Sequence, residues 1–126
     1  MDKKKILIVD DDPDLRRGLS VRLRANHYDT VFAVDGLSAI SVAQKEKPDL
    51  IILDLGLPAG DGFTVMERLK FLAPLASTPV IVVSARDPQA SKERALKAGA
   101  DVFLQKPVDN DELLASIRKA LGESTA

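Results

Sequence analysis

Five short apolar runs recur along the chain, and each ends near a polar or turn-forming residue. They are mostly continuous rather than alternating, which is typical of strands covered on both faces of a parallel sheet. The runs are Ile6–Val9, Val31–Val34, Leu50–Leu53, Val80–Val83 and Val102–Leu104. The pattern therefore predicts five strands in a parallel sheet.

The segments between these runs carry apolar residues at helical spacing. Leu15, Leu19 and Leu23 step by four residues and would share one face of a helix. The other helical segments are marked by Leu37, Ile40 and Ala43, by Val65, Leu69 and Leu72, by the alanine-rich stretch Gln89–Ala98, and by Leu113, Ile117 and Leu121. Strands and helices alternate five times, which predicts a single α/β domain of (βα)₅ type in three layers with right-handed crossovers.

Residues at the predicted helix ends agree with this division. Asp12 followed by Pro13 has the form of an N-cap with proline at the first helical position. Asp109 with Glu112 three residues later resembles a capping box, and Gly99 lies where a glycine that ends a helix belongs. We expect residues 122–126 to be a frayed end.

The charge balance and the missing residue types narrow the chemistry. The 126 residues include 18 Lys and Arg against 19 Asp and Glu, so the net charge of −1 gives no general attraction to nucleic acid or to an anionic membrane. Cys is absent, which excludes disulfides and thiolate chemistry, and the one histidine, His27, cannot form a two-His metal site. No apolar run approaches the roughly 18 residues of a membrane span. We therefore expect a soluble, cytoplasmic domain that works through carboxylates, hydroxyls, lysine and a hard metal ion.

Polar side chains follow four of the five predicted strands. Asp10 and Asp11 follow the first run, Asp54 the third and Ser84 the fourth, and Lys106 comes soon after the fifth. In an open parallel α/β sheet, sites form at the carboxyl ends of strands, where the strand order reverses. If the first and third strands are central neighbours, three carboxylates converge there, and they repel one another unless a cation neutralises them. Because Mg²⁺ binds through one or two carboxylates and phosphate oxygens, this edge predicts phosphoryl chemistry.

Taken one at a time, such residues have simpler explanations. Asp12 is better explained as a helix cap than as a ligand, and Phe103 as a core residue. Gly60 and Gly62 around Asp61 fit a turn, because the Gly-Lys-Ser/Thr sequence of a phosphate-binding P-loop is missing. The functional prediction therefore depends on the ordered set at successive strand ends.

Four segments make that set resemble a known family. ILIVDDDPDLRRGL, PDLIILDLGLPAGDGF, PVIVVSA and GADVFLQKPVDNDEL look like the receiver domain of two-component response regulators, in the right order and over essentially the whole chain. The resemblance implies a flavodoxin-like sandwich with strand order 2-1-3-4-5, in one receiver domain over residues 1–126 (core about 4–121) without an output domain. It also implies a phosphorelay switch that a histidine kinase or a phosphotransfer protein phosphorylates, and that controls a downstream partner rather than turning over a substrate. We expect a monomer, with dimerisation on phosphorylation left open.

By the same resemblance, Asp54 is the phosphoacceptor. Asp10 and Asp11 match the family's acidic pair, which holds Mg²⁺ (or Mn²⁺) directly or through water. Asp54 itself and the backbone carbonyl of Gly56 would complete the metal ligands.

The resemblance also assigns a switch. Ser84 matches the hydroxyl that moves to the phosphoryl group, and Lys106 matches the lysine that pairs with a phosphoryl oxygen. The Lys106–Pro107 bond would be cis, and Phe103 occupies the position of the switch aromatic residue. The two residues expected to tune dephosphorylation, Gly56 and Arg86, depart from many members of the family.

Three alternatives compete with the receiver interpretation. Asp10-x-Asp12 loosely fits the nucleophile signature of a haloacid-dehalogenase-type phosphatase, but the chain has no room for the cap of such an enzyme. A flavodoxin-type flavin-binding module would need a Gly/Ser/Thr-rich phosphate loop after the first strand, which is missing. A degenerate receiver that signals without phosphate is the third, although every residue of the acceptor site is present.

Overall fold

Strands and helices alternate along the whole described part of the chain. A computed structural model describes residues 3–57 and 61–123. The elements are β1 (Lys5–Val9), α1 (Pro13–Ala25), β2 (Asp29–Ala33), α2 (Gly36–Glu46), β3 (Leu50–Asp54), α3 (Gly62–Lys70), a 3-10 turn (Leu75–Ser77), β4 (Val80–Ser84), α4 (Pro88–Lys97), β5 (Val102–Gln105) and α5 (Asn110–Ala120). None of the helices in this described part combines the length and apolar character needed to cross a membrane.

The five strands form one parallel sheet in the order β2-β1-β3-β4-β5. This confirms the flavodoxin-like order. Chain order reverses between β1 and β3, which are neighbours, with Val9 opposite Leu53 in the register. Asp54 then pairs with Val83, one residue before the last residue of β4. The carboxyl ends of β1, β3 and β4 consequently meet at the centre of one sheet edge.

The three central strands of the sheet are buried on both faces, which explains why their residues are continuously apolar. Side chains alternate between the faces along each strand. One face packs mainly against α2, α3 and α4, and its buried strand residues include Leu7, Val9, Ile51, Leu53, Val80 and Val82. The opposite face packs against α1 and α5, and its buried strand residues include Ile6, Ile8, Leu50, Ile52, Ile81 and Val83. These layers hold the ends of the central strands in fixed positions.

The predicted helix ends are confirmed by their hydrogen bonds. The Asp12 side chain accepts from the Asp14 amide at 2.9 Å, and Asp109 accepts from the Glu112 amide at 3.1 Å. The second bond of the predicted capping box, from the Asp109 amide to the Glu112 side chain, is not formed, so Asp109 acts as a simple N-cap. Gly99 follows α4 with φ of +112°, a conformation that favours glycine. A reciprocal capping box that the sequence analysis did not identify begins α2, where Asp35 and Ser38 bond each other's backbone amides.

Two local predictions were wrong. The second run was predicted to begin at Val31, but β2 begins at Asp29, because pairing with β1 extends the strand to a polar residue. Leu37, one of the residues that marked the second helix, is 65% exposed, while the small Ala39 and Ala43 are buried against the sheet. Residues 122–126 were predicted to be a frayed end, but the Glu123 carboxylate accepts a 2.6 Å hydrogen bond from the Tyr28 hydroxyl, which fixes the chain as far as residue 123. Residues 124–126 lie outside the described residues.

Candidate functional site

Three carboxylates meet where β1 and β3 end. Asp10 directly follows β1, Asp11 is next along the chain, and Asp54 is the last residue of β3. Each offers an oxygen, and these oxygens all lie within 4.8 Å of one another. Asp10 and Asp54 are buried, whereas Asp11 is exposed. The parallel pairing of β1 with β3 brings together acids that are more than forty residues apart in sequence.

This donor set fits a hard divalent cation. Carboxylate oxygens are the ligands that Mg²⁺ prefers, and two opposite ligands of one Mg²⁺ lie about 4.2 Å apart. The oxygens of the three acids are separated by no more than 4.8 Å, so at most small side-chain shifts would allow one ion to contact all three groups. Cys is absent from the chain, so the set contains no soft ligand that would favour zinc or copper.

Lys106 supplies positive charge to the same cluster. Its ammonium lies 2.9 Å from Oδ2 of Asp10 and 3.5 Å from Oδ2 of Asp54. Partial burial by itself lowers the pKa of Lys106, but the hydrogen bond and charge of Asp10, with the charge of Asp54, outweigh it and leave the pKa raised. The lysine is therefore a fixed cation at neutral pH.

Ser84 lies at the end of β4, beside this cluster. It is fully buried, and its hydroxyl accepts a 3.0 Å hydrogen bond from the Arg86 amide. Its carbonyl accepts a 2.9 Å hydrogen bond from the Lys106 amide, which ties the ends of β4 and β5 together. The peptide bond between Lys106 and Pro107 is cis.

Two glycines control how closely the backbone approaches Asp54. The Gly56 amide donates a 3.2 Å hydrogen bond to Oδ1 of Asp54, and a Cβ at Gly56 would lie 4.0 Å from both carboxylate oxygens. Gly56 thus leaves the space beside the carboxylate free of its own side chain. At Gly62, a Cβ would lie only 2.6 Å from Cα of Leu55 and 2.8 Å from the Asp54 carbonyl oxygen. The start of α3 can pack against the end of β3 only because residue 62 has no side chain.

Arg86 lies between the site and α3 and makes contacts that the sequence did not indicate. Its guanidinium is 3.8 Å from the Asp61 carboxylate and 6.0 Å from the centre of the Phe63 ring. The guanidinium of Arg94, on α4, lies 3.9 Å from the same ring centre, a cation–π distance. The only sequence signal was the pair of glycines around Asp61, of which Gly60 lies outside the described residues. These contacts join the loop after β4 and helix α4 to the start of α3.

Phe103 is farther from the carboxylates. It is half-buried, packs against the core layer on the α2–α3–α4 face, and is opposite Val82 in the register. Gln105, two residues later on the same strand, is the residue that pairs with Ser84. Phe103 therefore lies on the strand that pairs with the strand of Ser84, and it packs against the core on the α2–α3–α4 face.

The carboxylate cluster opens into a cleft of about 590 Å³ beside α1. Asp10, Asp54 and Lys106 line it, and apolar residues from α1 and from the segment after β5 complete its walls. Ligands and partners can thus reach Asp54 from outside.

The phosphatase alternative is not supported. Its second acid would be Asp12, but the carboxylate of Asp12 caps α1 through the Asp14 and Leu15 amides. Only Asp10, Asp11 and Asp54 form the acidic cluster in the part of the chain that the structure describes.

Comparisons with known proteins agree on one family. The sequence profile of the response regulator receiver domain matches residues 6–118. The transcriptional regulatory protein KdpE of Mycobacterium tuberculosis is 40% identical over 121 residues, which cover 96% of this chain and 52% of KdpE. The chain spans about half the length of the curated relatives it matches.

Solved structures give the same result. The receiver domain of the Pseudomonas aeruginosa sensor histidine kinase PA1611, with a magnesium ion coordinated in its active-site cleft, superimposes with a TM-score of 0.88 at 27% identity and covers 96% of this chain and 99% of that one. The BeF₃-activated receiver domain of Klebsiella pneumoniae RstA superimposes with a TM-score of 0.87 at 30% identity, covering 94% and 98%. With the profile match over most of its length and the matching fold, this chain belongs to the response regulator receiver domain family of two-component systems.

Proposed function

We propose that this domain accepts a phosphoryl group on Asp54 from a phosphohistidine, in a reaction that requires Mg²⁺ or Mn²⁺. The observation that carries the proposal is the cluster at the end of β1 and β3, where the oxygens of Asp10, Asp11 and Asp54 lie within 4.8 Å of one another and Lys106 contacts two of the three acids. The donor would be a histidine kinase or a phosphotransfer protein, as the family implies.

Asp54 is the acid best suited to be the nucleophile. Both oxygens of Asp10 are already engaged, because Oδ1 accepts from the Asp12 amide at 2.9 Å and Oδ2 accepts from Lys106 at 2.9 Å. Asp11 is exposed, so its carboxylate is not held in one orientation for attack on phosphorus. Asp54 has longer contacts, 3.2 Å to the Gly56 amide and 3.5 Å to Lys106, and lies beside the space that Gly56 leaves open.

The transfer step is an exchange of one bond to phosphorus for another. A carboxylate oxygen of Asp54 attacks the phosphorus, the O–P bond forms, and the P–N bond to the donor imidazole breaks. The imidazole leaves with the electron pair of that bond and takes up a proton. Lys106 offsets the negative charge that gathers on the phosphoryl oxygens.

Asp10, Asp11, Asp54 and the Gly56 carbonyl would hold the metal ion. When bound, Mg²⁺ or Mn²⁺ neutralises the phosphoryl oxygens and the acids that surround them. The acid cluster and the magnesium in the cleft of the Pseudomonas receiver domain support this assignment.

Phosphorylation would act as a switch. The phosphoryl group is bulkier and more negative than the carboxylate, so it attracts the Ser84 hydroxyl and the Lys106 ammonium. The Lys106 amide is bonded to the Ser84 carbonyl at the ends of β4 and β5, and Phe103 lies on β5. The change would reach a downstream partner through α4, β5 and α5.

We infer a regulator rather than a turnover enzyme, because the nucleophile itself carries the product and returns to its starting state only on slow hydrolysis. Gly56 and Arg86 would set the rate of that hydrolysis. The reaction would take place in the cytoplasm, where the kinase's ATP is found, and the domain would be a monomer that can dimerise on phosphorylation.

The test is phosphorylation by acetyl phosphate with Mg²⁺, followed by intact mass. One phosphoryl group should be added, it should be labile to hydroxylamine, and chelation of the metal should prevent its addition. Asp54→Asn should remove the labelling, whereas Asp14→Asn, at an exposed acid on α1, should leave it unchanged. Full labelling of Asp54→Asn would refute the assignment.

A further inference from the structure

The exposed apolar residues of this domain are concentrated at one edge of the sheet. Six large apolar side chains are exposed within residues 3–57 and 61–123, and four of them lie on α1, on or just after β2, and at the start of α2. They are Val21 (67% exposed), Phe32 (40%), Val34 (45%) and Leu37 (65%). Single exposed apolar residues need no explanation, but a group of them on and beside one edge strand indicates an interaction surface.

That strand, β2, is an edge of the sheet and has little protection. Edge strands usually avoid pairing with other chains through charged residues, proline or a covering element. In β2 (Asp29–Ala33) the only charge is Asp29 at its first residue, and the strand contains no proline. Phe32 lines two grooves, one beside α1 and one beside α2, so the outer edge of the strand is accessible from both sides.

The groove between α1 and β2 has a positive charge. It measures about 380 Å³, and Arg16, Arg17 and Arg24 line it together with the apolar Val21 and Phe32. Among the residues that the structure describes, no acidic one lines it. The hydroxyls beneath the groove already have hydrogen-bond partners. Those of Ser20 and Thr30 bond each other at 2.8 Å, and Arg24 donates to the Thr30 hydroxyl at 3.2 Å. The nearby Asp35 carboxylate is directed to its own helix cap, where it accepts from the Ser38 amide at 2.7 Å.

We propose that the outer edge of β2 and this groove (the β2-edge groove) bind an extended, acidic segment of a partner protein that carries apolar residues between its acids. Such a segment would add a strand to β2. Side chains two positions apart on a strand point to the same face, so an apolar side chain placed on Phe32 and Val21 would have carboxylates two positions away on the same side, next to the arginines. A second copy of this domain is disfavoured as the occupant, because a symmetric contact would bring two sets of three arginines together.

The proposal is tested with the blocked peptide Glu-Thr-Phe-Thr-Glu-Thr-Val-Thr-Glu, whose acidic and apolar residues share one face of a strand, titrated into the ¹⁵N-labelled domain. Amide shifts should concentrate on residues 29–34 and on the α1 residues of the groove, and amides of β2 should gain protection from hydrogen exchange. The same peptide with lysine in place of glutamate should bind at least tenfold more weakly. Shifts that are absent, or spread evenly over the domain, would overturn the proposal.

Two charge reversals provide matched variants. Arg17→Glu should weaken the peptide at least tenfold, whereas Lys92→Glu, the same kind of change at an exposed site on α4, should not. Equal binding by both variants would overturn the proposal. So would tighter binding of a DNA duplex or of phosphatidylserine vesicles at this groove, or concentration-dependent shifts of β2 without peptide, which would identify a nucleic acid, a membrane or a second copy as the occupant.

Discussion

Lys106 donates a 2.9 Å hydrogen bond to Oδ2 of Asp10, although the two residues are 96 positions apart in sequence. Its distance to the proposed acceptor, Asp54, is longer at 3.5 Å. The ammonium thus binds the acid that is also proposed to hold the metal. A lysine in this position offsets the repulsion among the three carboxylates, and a bound metal ion would offset the same repulsion.

This geometry predicts competition between the lysine and the metal for Asp10. In Lys106→Ala the acids lose the cation that neutralises them, so Mg²⁺ should bind severalfold more tightly, as measured by calorimetric titration. Lys92→Ala, at an exposed lysine on α4, is the matched control and should leave the affinity unchanged. Weaker Mg²⁺ binding in Lys106→Ala would contradict the competition.

The same variant separates metal binding from switching. Lys106→Ala should keep its fold but lose most of the NMR response of Ser84 and Phe103 to beryllofluoride, because a charge-assisted hydrogen bond contributes about 1.5–3 kcal/mol. A normal response would show that the switch does not need the ammonium.

Asp11 is predicted to be a direct metal ligand. It is exposed and directly follows Asp10, so its removal should cost little folding free energy. Asp11→Ala should weaken Mg²⁺ by about tenfold or more, since a site with few protein ligands loses one of them. Asp14→Ala, a nearby exposed acid, is the control for the lost charge. An unchanged titration would assign the direct role to Asp10.

The lifetime of the phosphoryl group on Asp54 is predicted to depend on competition between Asp61 and that phosphoryl group for the Arg86 guanidinium. Arg86 is 3.8 Å from Asp61, and both side chains are largely exposed, so the pair is weak and a phosphoryl group can draw the arginine away. The guanidinium stays protonated and cannot activate water, so it should retard hydrolysis. Arg86→Ala should therefore shorten the half-life of phosphorylated Asp54.

Asp61→Asn should have the opposite effect. It retains a side chain that can cap α3 but frees Arg86, so the half-life should lengthen by about 2–5-fold, the range expected from an exposed ion pair. Decay is followed by loss of radiolabelled phosphate. If Arg86→Ala lengthened the half-life, the arginine would be assisting hydrolysis rather than retarding it.

Replacing each of two glycines by alanine should change the free energy of unfolding in opposite directions. Gly62→Ala places a Cβ 2.6 Å from Cα of Leu55, a backbone atom that cannot move aside easily, so it should lower the free energy of unfolding by about 1–3 kcal/mol. Gly18 lies inside α1, and a Cβ there meets nothing within 4 Å. Gly18→Ala should therefore raise the free energy of unfolding by about 0.5–1 kcal/mol. Urea denaturation measures both, and destabilisation by Gly18→Ala would contradict the described packing of α1.

The single tyrosine gives a prediction about alkaline pH. Burial, with the hydrogen bond to the Glu123 carboxylate, raises the pKa of Tyr28 from 10.0 to about 12. A raised pKa in the folded state means that the stabilisation is complete below pH 10 and is lost as pH rises from 10 towards 12. Relative to Tyr28→Phe, the free energy of unfolding should therefore fall over that interval.

The measurement is direct because Tyr28 is the only tyrosine and the chain has no tryptophan. Phenolate absorbance should titrate near pH 12 while the protein is folded, and Glu123→Gln should lower the midpoint. A midpoint near 10 in the folded protein would show that the contact does not form in solution.

The sequence by itself determined the elements and most of their ends, because these depend on neighbouring residues. Continuous apolar runs predicted the five strands, and Asp12, Gly99 and Asp109 marked helix ends through bonds to amides a few positions away. The polar residues at successive strand ends predicted the edge where the carboxylates meet. The strand order came with the family resemblance, since periodicity does not specify which strands are neighbours.

Only the tertiary structure decided how the side chains pair. Nothing local to Lys106 indicates that Asp10 is its hydrogen-bond partner, because the sheet brings the two together from opposite ends of the chain. The requirement for glycine at position 62 follows from the distance between α3 and β3, and the exposure of Phe32 follows from the edge position of β2. Apolar spacing predicts burial only when another element covers the residue, and which element covers which is set by long-range packing.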